Sequence, residues 1–310
     1  MNKIMPSLAI LSLVLAVSAP VHAQKIHAGS ATGSYTNDFC PQVQAALKMQ
    51  YFDHQCTTSQ GSGDNVEKVL ATPTDVGLGQ FDVVAAAVDQ NPGKLAVVNP
   101  GVGMECLYAV TSDPNVTSLK GLSPRMPVAL PPEKSGSTGT FQFLQSLDPG
   151  LAELRNVTYV GSAKEAVEMV INNKAALAFF VQFPNTKNDV FKAINDAKLT
   201  FIPVINREIL RREVAGQRVY QPQEVVVTPP GLLGRLTGQE PDKIVTTCMP
   251  VVLFTGAPES MPEGTARQDQ EDVIKQLAQV QPPSEGDWKD ILQNTVSIGK
   301  SKLDELMQQF

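Results

Sequence analysis

Three stretches of the sequence combine glycine with hydroxyl and amide side chains. They are Gly29–Tyr35 (GSATGSY), Ser59–Asn65 (SQGSGDN) and Ser135–Thr140 (SGSTGT). Glycine lets the backbone approach a ligand, while hydroxyls and the N–H groups of a helix N-terminus hold an oxyanion without a full positive charge. This chemistry suits the reversible capture of a small polar molecule. Serine, threonine, aspartate and asparagine also cap helices, so for any single residue that simpler role stays equally open.

Covalent catalysis has little support in the same stretches. A nucleophilic serine needs a nearby base and an orienting acid, and beyond the N-terminal segment the only histidines are His27 and His54. The tetrapeptide Ser297–Lys300 matches S-x-x-K, but the chain has no K-T-G partner for it. We therefore predict no catalytic residue. A serine hydrolase that uses Ser62 or Ser137 is the alternative.

Cofactors, metals and nucleic acids are not indicated either. The sequence has no G-x-G-x-x-G or G-x-x-x-x-G-K-[ST] motif, and its cysteines and histidines lack the spacing of a zinc site. With 25 Lys and Arg against 31 Asp and Glu, the formal charge is -6. Nucleic acids and anionic membrane surfaces attract basic proteins. We expect a small-molecule ligand, with no cofactor, no metal and no nucleic acid.

The elements that would position these stretches alternate between strands and helices. The predicted order is strand Lys25–Ala28, a helix from about Thr36, strand Phe52–Thr57, a helix from about Asp64, strand Val76–Leu78, helix Asp82–Gln90, and strands Leu95–Asn99 and Cys106–Thr111. This alternation predicts an α/β fold. In open parallel sheets, ligands bind beyond the carboxyl ends of the strands, at helix N-termini. The glycine-rich stretches fall there, as do Gln80 and Asp82.

A second series of the same kind follows. Its predicted members are strand Val128–Leu130, a loop over Lys134–Thr140 leading into a helix, strand Val157–Val160, helix Ala163–Asn172 and strand Ala176–Val181. The segments Gly61–Phe81 and Gly161–Phe183 both run Gly-Ser, amphipathic helix, turn, strand and Gln-Phe. We predict that one architecture is used twice, and chance similarity between two βαβ units is the alternative.

The rest of the chain continues the alternation. The predicted segments are strand Leu199–Val204, a helix near Arg207–Arg212, a Pro/Gly-rich connection over Gln221–Pro230, an apolar run Lys243–Phe254, and helices Ala266–Val280 and Trp288–Gln309.

The N-terminus has the pattern of a cleaved signal peptide. Lys3 precedes the apolar run Leu8–Val17, which is too short to span a bilayer, and Val21 and Ala23 are the small residues at positions -3 and -1. We expect cleavage after Ala23 and export to the periplasm. A buried N-terminal helix is the alternative, although Pro20 interrupts it.

Four cysteines remain after cleavage, and in an oxidising compartment they suggest two disulfides with three possible connectivities. Free buried thiols are the alternative. Cys40 lies at the start of the first helix and Cys56 near the carboxyl end of the second strand. Because adjacent parallel strands bring those ends together, we predict a Cys40–Cys56 bridge.

The chain resembles periplasmic solute-binding proteins of the type 2 fold, and most closely the TAXI family of TRAP-transporter receptors. The motifs that carry the resemblance are G-S-A-T-G-S-Y at Gly29, T-S-Q-G-S-G-D-N-V at Thr58, D-V-G-L-G-Q-F-D at Asp75, L-Y-A-V-T-S at Leu107, G-S-T-G-T at Gly136, A-L-A-F-F at Ala176, F-I-P-V at Phe201 and T-T-C-M-P-V-V-L at Thr246. The family implies two α/β lobes, a hinge of two crossover strands, a ligand cleft that closes on binding, and delivery to a membrane permease without chemistry on the ligand.

The resemblance also implies domains and site residues. Residues 24–107 with 249–310 would form the first lobe, residues 108–248 the second, and residues 1–23 the signal peptide. The implied ligand-binding residues are Thr32, Gly33, Ser34, Tyr35, Ser59, Ser62, Asn65, Gln80, Lys134, Ser137, Thr138, Thr140 and Gln182. The ligand would be a small carboxylate or amino acid bound by a monomer, with Lys134 as the only loop cation.

Cys106 and Cys248 fall in the segments that resemble the two hinge strands, so the resemblance implies a bridge between them, at the first-lobe end of those strands. The alternatives to a TRAP receptor are an ABC-transporter receptor and a receptor that serves a sensor.

Overall fold

The computed structural model describes residues 24–98, 101–214, 217–283 and 295–297. Up to the middle of the chain the elements are β1 (Gln24–His27), α1 (Cys40–Lys48), β2 (His54–Thr57), α2 (Ser62–Ala71), β3 (Val76–Gln80), α3 (Phe81–Gln90), β4 (Leu95–Val98), β5 (Met104–Thr111), β6 (Val128–Leu130), α4 (Gly136–Leu147) and α5 (Pro149–Ala152). A π-helical turn, Tyr35–Phe39, leads into α1.

The later elements complete the described part of the chain. They are β7 (Val157–Tyr159), α6 (Ala163–Ile171), β8 (Leu177–Gln182), α7 (Asp189–Asp196), β9 (Thr200–Ile202), α8 (Arg207–Arg211), β10 (Glu213–Val214), β11 (Gln217–Arg218), β12 (Gln221–Thr228), α9 (Leu232–Thr237), β13 (Asp242–Gly256), α10 (Thr265–Leu277) and β14 (Thr295–Ser297). Among these residues, no helix is long and apolar enough to cross a membrane.

The strands form two sheet regions with the same order. In the first, the order is β2-β1-β3-β13-β4, with β1, β2 and β3 parallel and β13 antiparallel to its neighbours. In the second, the order is β7-β6-β8-β5-β9, again with three parallel strands and an antiparallel fourth. The predicted repeat is therefore present, because the two Gly-Ser to Gln-Phe segments supply equivalent helices (α2, α6) and equivalent third strands (β3, β8).

Strand β13 connects the two sheets. Residues 242–250 pair with β12 and β5 of the second sheet, and residues 251–256 pair with β3 and β4 of the first. The chain crosses again between β4 and β5, and just before β5 Gly103 lies beside β13, where its carbonyl oxygen accepts from Val251 N at 3.0 Å. This is the expected two-lobed periplasmic-binding-protein type 2 fold. We call the first sheet with its helices the first lobe and the second sheet with its helices the second lobe.

The apolar faces of the sheets explain why the helices cover them. Ile26, Leu78 and Leu253 of the first sheet are fully buried in the cluster that includes α1 and α10. Phe254 lies on the other face, against which α2 and α3 pack. A Cβ at Gly77 would clash with the Phe254 ring, so only glycine lets the aromatic ring lie flat on this strand.

Both predicted disulfides are confirmed. Cys40 bonds to Cys56, with Cα atoms 5.9 Å apart, and Cys106 bonds to Cys248 across β5 and β13. The second bridge lies at the start of β5, two residues before β13 leaves the second sheet at Pro250. It therefore sits at the first-lobe end of the paired strands, as expected.

Three predicted segments need correction. The connection over 221–230 is largely strand β12, because Gln223, Val225 and Val227 alternate into the core while the strand pairs with β13. The helix over 288–309 is wrong at residues 295–297, which form β14 and pair with β12 in the second sheet. The rest of that helix, and of Ser297–Lys300, lies outside the described residues, as does the signal peptide. The loop over 134–140 ends early, since α4 already begins at Gly136.

Candidate functional site

The N-termini of α2 and α4 meet where the two lobes touch. Gly61, which adopts a φ of 118° that favours glycine, lies so close to the second lobe that a Cβ there would be 3.1 Å from Ser135 Cα. A Cβ at Gly63 would be 3.1 Å from the carbonyl oxygen of Lys134, and one at Gly136 would be 2.7 Å from Ser62 Oγ. The absence of side chains at these glycines lets the lobes approach each other closely.

A hydrogen-bonded chain of side chains crosses this contact. Tyr35 Oη donates to Glu105 Oε2 at 2.8 Å, and Gln80 Nε2 donates to the same oxygen at 3.1 Å. From the second lobe, Thr140 Oγ1 donates to Gln80 Oε1 at 3.0 Å. Ser62 Oγ accepts from Gln80 N at 3.1 Å. Four of the predicted ligand-binding residues are thus brought together around one carboxyl group.

A second carboxyl group joins the lobes beside the first. Tyr220 Oη of the second lobe donates to Asp82 Oδ2 at 2.8 Å, and Asp82 Oδ1 accepts from Val83 N, also at 2.8 Å. Asp82 is completely buried and Glu105 is 7% exposed.

Burial controls the ionisation of both groups. It raises the pKa of Glu105 to about 7, although the hydrogen bonds from Tyr35 and Gln80 act in the opposite direction. It raises the pKa of Asp82 to about 6, although the hydrogen bonds from Tyr220 Oη and Val83 N act in the opposite direction. Burial, followed by the neighbouring carboxyl groups, also raises the pKa of Tyr35 and of Tyr220, so both phenols stay protonated as donors.

An open groove of about 540 Å³ lies beside this contact, between α2 and α3 of the first lobe and α4 of the second. Val66, Val83 and Phe143 supply apolar walls. At its rim Lys134 Nζ lies 2.6 Å from Glu67 Oε2, an exposed ion pair between the lobes. The predicted loop cation is therefore engaged by a carboxylate of the protein.

Four predicted ligand-binding residues bond to groups within their own lobe. Asn65 Nδ2 donates to Ala28 O and Leu78 O at 2.6 and 2.7 Å, which ties β1 to β3. Ser59 Oγ donates to Ala28 O at 3.2 Å, Ser137 Oγ accepts from Val181 N at 2.9 Å and Thr138 Oγ1 donates to Pro131 O at 3.1 Å. These hydrogen bonds hold the ends of strands and helices together.

The other predicted residues take no part in the hydrogen-bonded chain of Tyr35, Glu105, Gln80 and Thr140. Thr32 is exposed, while Gly33, Ser34 and Gln182 are half-buried. Gln182 ends β8 and pairs through its backbone with Cys106.

Sequence reasoning missed Glu105 and Tyr220, and it noted Asp82 without giving it a role. The available signal for the carboxyl groups was a single acid inside an apolar segment, M-E-C-L-Y-A-V for Glu105 and F-D-V-V-A-A-A-V for Asp82. A charged residue within a buried strand or helix face is unusual without a partner. No comparable signal marked Tyr220.

The hydroxyls proposed for a hydrolase do not bond to histidine. Ser62 and Ser137 each accept from a backbone N–H, whereas His27 bonds to Asp75 at 2.8 Å and His54 to Thr74 O at 3.2 Å. Within the described ranges, no group of His, Cys, Asp and Glu residues is arranged to hold a metal ion.

The chain is similar to several solved structures but matches no known protein family. No family model and no curated protein matches the chain. The GluR0 ligand-binding core in complex with L-glutamate is 12% identical, with a TM-score of 0.46, over 84% of this chain and 98% of that one. A Clostridium perfringens protein described as a phosphate ABC-transporter substrate-binding protein, with bound phosphate, is 14% identical, with a TM-score of 0.42, over 90% of this chain and 100% of that one.

The effector-binding domain of a BenM variant is 13% identical, with a TM-score of 0.42, over 82% of this chain and 93% of that one. Identities and scores at this level assign neither a family nor a ligand to the chain.

Proposed function

We propose that the chain is an exported solute-binding receptor that captures a small polar or carboxylate-bearing solute between its lobes and delivers it to a membrane transporter. The observation that carries the proposal is the hydrogen bond from Thr140 to Gln80, because it joins residues beyond the carboxyl ends of equivalent sheets in two lobes. Open α/β sheets bind ligands at such ends. The resemblance to the TAXI family supports a TRAP-type transporter as partner and a monomeric receptor.

The proposed lobes are residues 24–107 with 249–310, and residues 108–248, after removal of residues 1–23. Strand β14, residues 295–297, is the exception, because it pairs with β12 of the second lobe. Export is supported by the signal-peptide pattern and fits the two disulfides. On this proposal the receptor performs no chemistry on its ligand and needs no cofactor.

Capture would follow from opening the contact between the lobes. Separation breaks the bonds from Thr140 to Gln80 and from Tyr220 to Asp82, and the ion pair of Lys134 with Glu67. Tyr35, Ser62, Gln80 and the N-terminus of α4 then face solvent. A polar solute would satisfy these groups, and Lys134 would be released to pair with a ligand carboxylate. Closure around the solute would exclude water and strengthen each hydrogen bond.

The first test is a thermal-shift screen of the mature chain against carboxylates, amino acids and aromatic acids, followed by calorimetric titration of each hit. Binding of a ligand to the folded state raises the melting temperature by mass action. The Thr140→Val variant should bind a hit about 5- to 30-fold more weakly, because the loss of one buried hydrogen bond is worth roughly 1 to 2 kcal/mol.

The matched control is Thr158→Val, which changes an exposed threonine on β7 of the same lobe and should retain wild-type affinity. Equal affinities for the two variants would remove the interlobe contact as the binding site. Hydrolysis of a hit during the titration would show that the protein is an enzyme and would contradict the proposed receptor function.

A further inference from the structure

Two carboxyl groups lie in the contact between the lobes. One accepts a hydrogen bond from the opposite lobe, and the other belongs to a chain of hydrogen bonds that reaches the opposite lobe. Asp82 of the first lobe accepts from Tyr220 of the second at 2.8 Å. Glu105, at the crossing into β5, accepts from Tyr35 and Gln80 of the first lobe, and Gln80 in turn accepts from Thr140 of the second. Separation of the lobes would expose both carboxyl groups to water.

The groups that face these carboxyls carry no positive charge. Glu105 accepts from Tyr35 of the π-helical turn, and the other titratable groups that interact with it electrostatically are Tyr108 of its own strand and Asp82 of α3. Asp82 accepts from Tyr220. Arg212, whose charge lowers the pKa of Tyr220, forms its ion pair with a different carboxylate, because its Nη2 lies 3.7 Å from Asp89 Oδ2. In the described part of the chain, no lysine, arginine or histidine lies within ion-pair distance of either carboxyl.

An ionised carboxylate is costly to bury without a cation, even where O–H and N–H groups donate to it, whereas a protonated carboxyl is neutral and costs less to bury. We propose that closure of the lobes is coupled to protonation of Asp82 and Glu105, so that acid favours the closed form of the empty receptor and rising pH opens it. This inference rests on the opening and closing proposed above, and it is independent of the identity of the ligand.

The pH range follows from the two ionisation states. In the open form the carboxyls would titrate near their ordinary values of 3.8 and 4.5, whereas burial raises the pKa of Asp82 to about 6 and of Glu105 to about 7. The closed form therefore binds more protons. Its advantage is complete below pH ~4 and is lost as pH rises to ~7. Between pH 5 and pH 7 the ratio of closed to open form should fall on the order of several hundredfold.

The test is small-angle scattering of the empty mature chain from pH 4.5 to pH 8. The radius of gyration should be small in acid and should increase as pH rises towards neutrality. The double variant Asp82→Asn, Glu105→Gln keeps the shapes and the hydrogen-bond acceptors but cannot titrate, so its radius should stay constant over this range. A wild-type radius that is constant with pH overturns the proposal.

Glu67→Gln is the matched control, because Glu67 also pairs across the lobe boundary but is exposed and bonded to Lys134. It should keep the wild-type pH midpoint. A double variant that opens with the wild-type midpoint, or a Glu67→Gln variant that abolishes the transition, assigns the effect to other groups and overturns the proposal.

A second measurement covers the case in which the double variant fails to fold. Carbon-13 NMR of the glutamate carboxyls in the wild-type chain should show one signal that titrates well above the others and is missing in Glu105→Gln. If every glutamate signal titrates near its ordinary value, the proton coupling is wrong. Ligand-induced closure at a fixed pH would still stand, so that outcome leaves the receptor proposal intact.

Discussion

Hydroxyl and amide side chains at the strand ends play two different roles, and their hydrogen-bond partners separate them. Asn65, Ser137 and Thr138 bond to backbone groups of their own lobe. Thr140 and Gln80 bond to each other across the lobes. Asn65, Ser137 and Thr138 hold the ends of strands and helices together within one lobe. Replacing them should therefore reduce the free energy of unfolding more than it reduces the affinity for a ligand.

Asn65 offers a direct test of this structural role. Asn65→Ala removes the donor shared by Ala28 O and Leu78 O and leaves two carbonyl groups in a buried place. We expect a loss of about 3 kcal/mol in the free energy of unfolding, measured by urea denaturation, because both buried carbonyls lose this donor and Ala28 O keeps only the bond from Ser59 Oγ. Asn37→Ala removes an exposed bond to Ala31 O and should lose less than about 0.5 kcal/mol. Equal losses in the two variants would contradict this role.

The residue types predicted part of the site. Glycine, hydroxyl and amide residues in three stretches indicated a polar site, and Tyr35, Ser62, Gln80 and Thr140 do come together. Glu105 was missed because its side chain leaves an apolar strand at the point where the sheets meet. That position depends on the register of β5 with β13, where Glu105 lies opposite Met249, and a local pattern does not reveal it.

Elements with strong periodicity were predicted well, and those whose register is set by a distant partner were not. The apolar spacing of α2 and α6 identified both helices and the strands that follow them. Strand β12 was taken for a connection because Pro222 and its polar neighbours are typical of loops. Its three consecutive valines, Val225 to Val227, favour a strand once β13 is available to pair with them.

The two disulfides should differ in their contribution to stability. Cys40 and Cys56 are 16 residues apart, whereas Cys106 and Cys248 are 142 apart and close the loop that contains most of the second lobe. By chain entropy the shorter loop contributes about 3 kcal/mol and the longer about 5 kcal/mol. The Cys106→Ala, Cys248→Ala variant should therefore have the lower urea midpoint.

Non-reducing peptide mapping should find the remaining bridge intact in each variant. Adding a reductant to either variant should then remove only the stability that the one remaining bridge contributes. If the Cys40→Ala, Cys56→Ala variant is the less stable of the two, loop length does not determine the order and local packing around α1 does.

At the scale of the whole molecule, the repeated sequence pattern predicted the repeated topology but not the relation between the lobes. That relation depends on contacts between residues far apart in the chain. Thr140 and Gln80 are separated by 60 residues, and Tyr220 and Asp82 by 138. Such pairs follow from how the two sheets are oriented about β13, which no local spacing specifies.

The same contacts make the closed form sensitive to bulk at Gly136. In Gly136→Leu the new side chain would displace Ser62 Oγ, 2.7 Å from its Cβ, and Gln80, which Thr140 and Glu105 hold in place. We expect the lobes to stay apart, so the radius of gyration at pH 5 should equal that of the wild type at pH 8. The free energy of unfolding should remain within about 1 kcal/mol of wild type, because the core of each lobe is unchanged.

Gly231→Leu is the control, since nothing lies within 4 Å of a Cβ at that position. Its radius of gyration should follow the wild-type curve at every pH. The Gly136→Leu side chain keeps the lobes apart only if the closed form depends on direct contact between α2 and α4. If the Gly136→Leu variant is as small as the wild type at pH 5, the lobes are held by the hinge alone, and the Thr140 to Gln80 bond is a consequence of closure instead of its cause.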